Sequence, residues 1–94
     1  MNPSVTVIDK PDEGRYEALV DGAVAGSAFY HLTPGRIVFL HTEVDPAYEG
    51  HGVGSRLARE ALDDARSKGL RVVPRCPFIA RYIREHPEYQ DLVR

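Results

Sequence analysis

Hydrophobic and polar positions change rhythm partway along this chain. Up to residue 44 the apolar residues come in short runs divided by turn chemistry, and from residue 53 to 65 they recur at helical spacing. In the first run Val5 and Val7 alternate with Thr6 and Ile8, which predicts a strand over residues 4–9. Pro11, Asp12, Glu13 and Gly14 then supply a turn. Residues 15–20 read as a second strand, Asp21-Gly22 as a tight hairpin, residues 24–31 as a third strand, and Thr33-Pro34-Gly35 as the next turn. Strands joined in this way predict an antiparallel meander.

Residues 36–44 read as a fourth strand. Its start, Ile37-Val38-Phe39-Leu40, is apolar without alternation, which predicts a central strand buried on both faces. Its end, His41-Thr42-Glu43-Val44, turns polar, as where a buried strand opens into a site. Alternation there puts His41 and Glu43 on one face and Thr42 and Val44 on the other. Asp45-Pro46 stops the strand. Residues 55–68 form an amphipathic helix with a stripe of Val53, Leu57, Ala61, Leu62 and Ala65, outer pairs Arg56–Glu60 and Arg59–Asp63, and Gly69 as its stop. Residues 70–75 form a fifth strand, which the helical crossover makes parallel to the fourth. Pro77 opens a last helix running to about residue 85, and Pro87 ends it. The expected fold class is α+β: a mixed, mostly antiparallel sheet of about five strands with two main helices, in one domain over residues 1–94.

Composition narrows the function. The balance of 43% hydrophobic and 28% charged residues is that of an ordinary globular chain. No stretch nears the roughly 20 apolar residues of a membrane helix, and residues 1–10 lack the pattern of a signal peptide, so the expected location is cytoplasmic, with no membrane partner. Cys76 is the only cysteine, which excludes an internal disulfide and a paired-cysteine metal site. His31, His41, His51 and His86 are not spaced as metal ligands, so no metal is expected. The net charge of −2 is uneven: residues 1–50 carry three basic residues against eight acids, and residues 51–94 carry nine against six. The second half suits an anionic ligand, but its excess is too small for nucleic acid.

The chemistry concentrates in Glu49-Gly50-His51-Gly52-Val53-Gly54, between a strand and a helix. Glycines let backbone N–H groups turn inward and a ligand come close, and the helix start adds unpaired N–H groups and a positive dipole end. Together these suit phosphate oxygens. A Walker loop would need lysine, and a Rossmann fingerprint would need glycine where Ser55 stands. The competing reading is a glycine turn that only caps the helix.

Val44-Asp45-Pro46-x-Tyr48-x-Gly50-x-Gly52-Val53-Gly54-Ser55-x-Leu57 resembles the acyl-CoA pyrophosphate motif of the GNAT superfamily of N-acetyltransferases, usually Arg/Gln-x-x-Gly-x-Gly/Ala. Gly52 and Gly54 match the glycines, and Glu49 replaces the usual first residue. His41-Thr42-Glu43-Val44, Cys76-Pro77-Phe78, Tyr82 and His86-Pro87-x-Tyr89 resemble a subgroup of very small GNAT-like proteins, over roughly residues 36–90. The resemblance implies a truncated acyl-CoA N-acyltransferase fold. It lacks two helices after the first strand and two closing strands, elements that normally shape the acceptor site. It implies acetyl-CoA as acyl donor, bound through the backbone of Glu49, Gly50, His51, Gly52, Val53, Gly54 and Ser55 at the pyrophosphate. The pantetheine would pair with Thr42, Glu43 and Val44 between strands four and five.

The implied activity is acetyl transfer to an unidentified amine, either a small molecule or a protein. Glu43 stands where many such enzymes keep a general base, and partial burial would raise its pKa; His41 shares its face. The other reading is that both only order the strand end. Cys76, before a helix start and beside Arg75, would favour thiolate and relay the acetyl group, or else is a buried apolar thiol. Tyr82 falls two residues before the tyrosine that protonates the leaving thiolate in the family, and is expected to pack. The alternative function is a non-catalytic acyl-CoA-binding sensor or interaction module. The sequence leaves the oligomeric state open.

Overall fold

The structure is a computed structural model and describes residues 4–93; residues 1–3, part of the segment read for a signal peptide, lie outside them. Five strands, β1 (Val5–Lys10), β2 (Arg15–Val20), β3 (Ala23–Thr33), β4 (Arg36–Val44) and β5 (Arg71–Pro74), form one sheet in sequence order. Neighbours are antiparallel except β4 and β5, which are parallel, as the crossover required. Helix α1 (Val53–Ser67) joins those two strands, and α2 (Pro77–Glu85) follows β5. Short 3₁₀ segments lie at Pro11–Glu13, Pro46–Tyr48 and Pro87–Val93. The α+β class, the meander, β2, β4 and α2 stand where the pattern put them. Helix α1 starts two residues early, at Val53, because Gly52 already caps it in a left-handed conformation. Pro87 does end α2, but the chain continues as a 3₁₀ segment that buries Tyr89 and Leu92.

Helix α1 crosses one face of the sheet and touches every strand, and α2 packs beside it over β4 and β5. Leu57, Ala58, Ala61, Leu62 and Ala65 of α1 are fully buried, against Tyr16, Ala18, Ala28, Ile37 and Phe39 of the sheet. Burying each leucine stabilises the fold by about 1.5–3 kcal/mol. Arg56 pairs with Glu60 at 2.7 Å as expected, but Arg59 also turns to Glu60, at 3.6 Å. Asp63, its expected partner, instead accepts a hydrogen bond from the Tyr89 hydroxyl at 2.7 Å. The Arg66 guanidinium fastens the same C-terminal segment, with bonds of 2.8 and 2.9 Å to Asp91 and one of 2.7 Å to the Glu88 carbonyl.

The expectation that β4 is buried on both faces is corrected. Ile37 and Phe39 face the helices and are closed off, but Val38 is half-buried and Leu40 is 48% exposed. No helix of the described residues covers the opposite face. Leu40 is also a bulge: Phe39 pairs with Tyr30 and His41 with Phe29, leaving Leu40 without a partner on β3. The bulge resets the alternation, so Thr42 and Val44 continue the helix-facing side while His41 and Glu43 point to the open side.

A polar chain closes the far end of α1. Asp64 accepts from the Tyr16 hydroxyl and from Lys68, and Lys68 bridges at 2.9 Å to Asp9, which accepts from the Tyr30 hydroxyl. Burial pushes both tyrosine pKa values up, aided by these carboxylates. Burial alone would raise Asp64, but the hydrogen bonds from Lys68 and Tyr16 outweigh it and hold its pKa below the usual aspartate range. A depressed carboxylate contributes stability that is full above about pH 4 and lost as pH falls through the folded value. Asp64→Asn is therefore expected to be less stable than the parent in urea at pH 7, with the difference shrinking towards pH 2.

Candidate coenzyme cradle and active-site cleft

The chain between β4 and α1 is held by its own short bonds. The Asp45 N–H donates to Ala25 O, its Oδ1 accepts from Ala47 N at 2.9 Å, and Glu49 N closes the 3₁₀ turn on Pro46 O. Gly50 and Gly52 then take φ values of 83° and 74°, which a Cβ would strain. After this turn the amides stop finding partners. The N–H groups of Gly50, His51, Gly52, Val53, Gly54 and Ser55 donate to nothing among the described residues, and the first helical bond is Arg56 N to Gly52 O. Beside them lies a cleft of about 310 Å³ lined by His51, Gly52, Ser55, Arg56, Arg59, Tyr82 and Val5. Among the described residues Arg56 and Arg59 share a single carboxylate, Glu60, so the cleft keeps a positive excess. Unpaired amides at a helix start next to this charge suit a phosphate group.

Two residues of the motif are packed as well as placed. The Val53 side chain is buried in the core, so only its amide faces outward. A Cβ on Gly54 would sit 2.9 Å from the ring of Phe78, so this glycine lets α2 approach α1. Tyr82, expected to pack, is buried and stacked on His86 at 3.8 Å, and it also walls the cleft. Burial pushes its hydroxyl pKa up, and Arg59 offsets part of this.

The strands part next to this turn. Pairing of β4 with β5 ends at Phe39 and Pro74, where Cys76 N donates to Phe39 O at 2.9 Å. Among the described residues, His41 to Val44 run on with β3 as their only strand partner and Leu40 bulges from both neighbours, so one edge of β4 is free of pairing. Cys76 stands at the fork, preceding α2, with its side chain buried and its sulfur 3.2 Å from Thr42 Oγ1.

Glu43 and His41 lie on the other side of β4. Their side chains are 62% and 61% exposed, with Oε1 and Nε2 3.1 Å apart, and the His41 ring stacks near Phe29. The partial burial expected of Glu43 is absent, because the helix-free face leaves it open. The structure thus brings His41 to Glu43 and Thr42 to Cys76, and separates the two pairs by the thickness of the strand. Tyr82 as a wall of the cleft was missed from the sequence, because a tyrosine at helical spacing reads the same whether it packs or lines a cavity.

Residues 15–92 match the GCN5-related N-acetyl-transferase family, and the chain is a member of it. Among curated relatives, Protein NATD1 of mouse is 41% identical over 66 residues, which is 69% of this chain and 60% of that protein. Human Protein NATD1 is likewise 41% identical over 66 residues, covering 69% of this chain and 58% of the relative. The chain thus matches only about three-fifths of these relatives' length. A crystal structure of an acetyltransferase from Trypanosoma brucei is similar at 27% identity with a TM-score of 0.47, over 89% of this chain and 64% of that one. No helix among the described residues is long and apolar enough to cross a membrane.

Proposed function

We propose that the chain binds acetyl-CoA at the fork of β4 and β5 and transfers the acetyl group to an amine. The observation that carries this reading is the run of unpartnered amides from Gly50 to Ser55 beside a cleft with a positive excess. The pyrophosphate would take those amides, with Arg56 and Arg59 near it. The unpaired edge of residues 40–44 offers the pantetheine amides a strand to join. Acetyl-CoA supplies a thioester whose acyl C–S bond breaks as the acyl C–N bond forms; the CoA thiolate leaves and takes up one proton to become the free thiol, and the neutral amine loses one proton.

Glu43 is the base for that proton, with His41 at 3.1 Å to share it. Direct transfer is better supported than a relay through Cys76. The thiol is closed in the core, and its one side-chain hydrogen-bond partner among the described residues is the Thr42 hydroxyl, with no base beside it. Cys76 is thus a wall of the fork.

Calorimetric titration with CoA, followed by mass spectrometry of protein and amine after incubation with acetyl-CoA, tests the reading. Binding and steady amine acetylation are expected. Glu43→Gln should lower kcat about 10²-fold, and Cys76→Ala should keep multiple turnover. Absence of CoA binding sinks the proposal, and binding without turnover leaves the sensor in its place. Turnover lost in Cys76→Ala with CoA binding intact restores the relay.

A further inference from the structure

The helix-free face carries a second cleft that the coenzyme does not need. Strand register sets two rows across β2, β3 and β4 there: Arg15, Phe29 and His41 in one, Glu17, Ser27 and Glu43 in the next. Ser27 is only 6% exposed, yet its hydroxyl has no hydrogen-bond partner among the described residues. Its oxygen is not fully enclosed, so a ligand can reach it; among the described residues the enclosed side-chain atom without a partner is Arg15 Nε. Ser27 lines a cleft of about 580 Å³ together with Arg15, Gly26, Glu43, Asp45 and Pro46, a volume within the range of small-molecule sites.

The sign of the cleft follows from its ion pairs. Arg15 contacts Glu13 and Glu17 at 2.5 and 2.9 Å, and Lys10 lies 3.4 and 4.0 Å from the same two acids, so two cations answer two carboxylates. Glu43 pairs only with His41 among the described residues. Asp45 gives Oδ1 to the Ala47 amide and forms no ion pair among them, which leaves Oδ2 free. Asp45 therefore stands without a cation at this cleft and Glu43 has only a histidine beside it, the opposite of the cradle.

We propose that this cleft receives the acceptor, and that the acceptor is a small amine carrying a second positive charge. The inference rests on the acetyl-transfer reading. Glu43 meets the reacting amine, which must give up its proton there. The free Oδ2 of Asp45 anchors the second ammonium, and the Ser27 hydroxyl accepts a hydrogen bond from the bound cation. Asp45 is thereby a specificity residue.

Three probes of matched length separate the possibilities: cadaverine with two amines, pentylamine with one, and 6-aminohexanoate with a carboxylate at the far end. Cadaverine should show a KM about fivefold below that of pentylamine, the range of an exposed ion pair, and 6-aminohexanoate the highest of the three. Asp45→Asn keeps the oxygen that accepts from Ala47 N and removes the charge, so the ratio of the first two KM values should fall to about two, the statistical advantage of two equivalent amines. Equal KM values for all three probes, or a ratio unmoved in Asp45→Asn, overturn the proposal. Calorimetry with acetyl-CoA on the same samples judges the coenzyme reading separately. If no turnover is found, a titration of the free protein with cadaverine decides. Amide shifts at Ser27, Glu43 and Asp45 that vanish in Asp45→Asn support the cleft, and their absence overturns it.

Discussion

Gly52→Asp is expected to weaken acetyl-CoA binding about 10³-fold while leaving the protein folded. A Cβ at this position meets nothing within 4 Å, so the new side chain has room. The backbone there is left-handed, with φ 74°, a conformation that costs an L-residue about 1–2 kcal/mol and that aspartate tolerates better than most. The effect on binding is much larger than that strain. A carboxylate about 4 Å from a phosphate charge, at the effective dielectric of a protein surface, repels it by about 4 kcal/mol. Gly52→Asn carries the same backbone cost and the same shape without the charge, so it should lose tenfold or less. Calorimetric titration of both variants with CoA, beside their melting curves, makes the comparison. Equal losses in Asp and Asn would mean that no phosphate lies near Gly52.

Much of this arrangement was legible because its causes are local. Turn residues such as Asp21-Gly22 and the strong stripe of α1 act over a few neighbours, and the elements they predict are present. The unpaired amides of residues 50–55 were legible for the same reason, since glycines between a strand and a helix start leave N–H groups without partners wherever the rest of the chain goes. What the pattern hid depends on contacts distant in sequence. The apolar run Ile37-Val38-Phe39-Leu40 looks buried on both faces, yet a bulge against Phe29 and Tyr30 leaves Leu40 half in solvent. Gly54 looks like a phosphate glycine and also makes room for a ring 24 residues later, that of Phe78. Ser27 carries no motif and Asp45 reads only as a strand stop beside the glycine turn, yet strand register and that turn place both beside Glu43. Structure written in spacing along the chain could be read directly, and contacts written across strands could not.

Gly26→Val should destabilise the protein and disable the site together. Gly26 pairs with Val44 across the ladder, one residue from Glu43. A Cβ there would stand 2.8 Å from the Glu43 carbonyl oxygen, 3.3 Å from Val53 Cγ1 and 3.5 Å from Val44 Cα. The first of these is backbone, and no rotamer relieves it. Val53 belongs to the start of α1 and is fully buried, so it has no room to retreat. Forcing a branched side chain into such a place costs about 1–3 kcal/mol, which for a domain of this size lowers the melting temperature by roughly 5–20 °C. The strain relaxes by moving the end of β4 away from β3, which carries Glu43 out of line and shifts the Val53 amide at the cradle. Activity should therefore fall further than the unfolded fraction explains, even at a temperature where the variant is fully folded. Scanning calorimetry paired with kcat and KM at that temperature tests this. A variant with reduced melting temperature but unaltered kcat would show that the position of Glu43 does not govern the chemistry, and a variant with the parent's melting temperature would remove the steric argument itself.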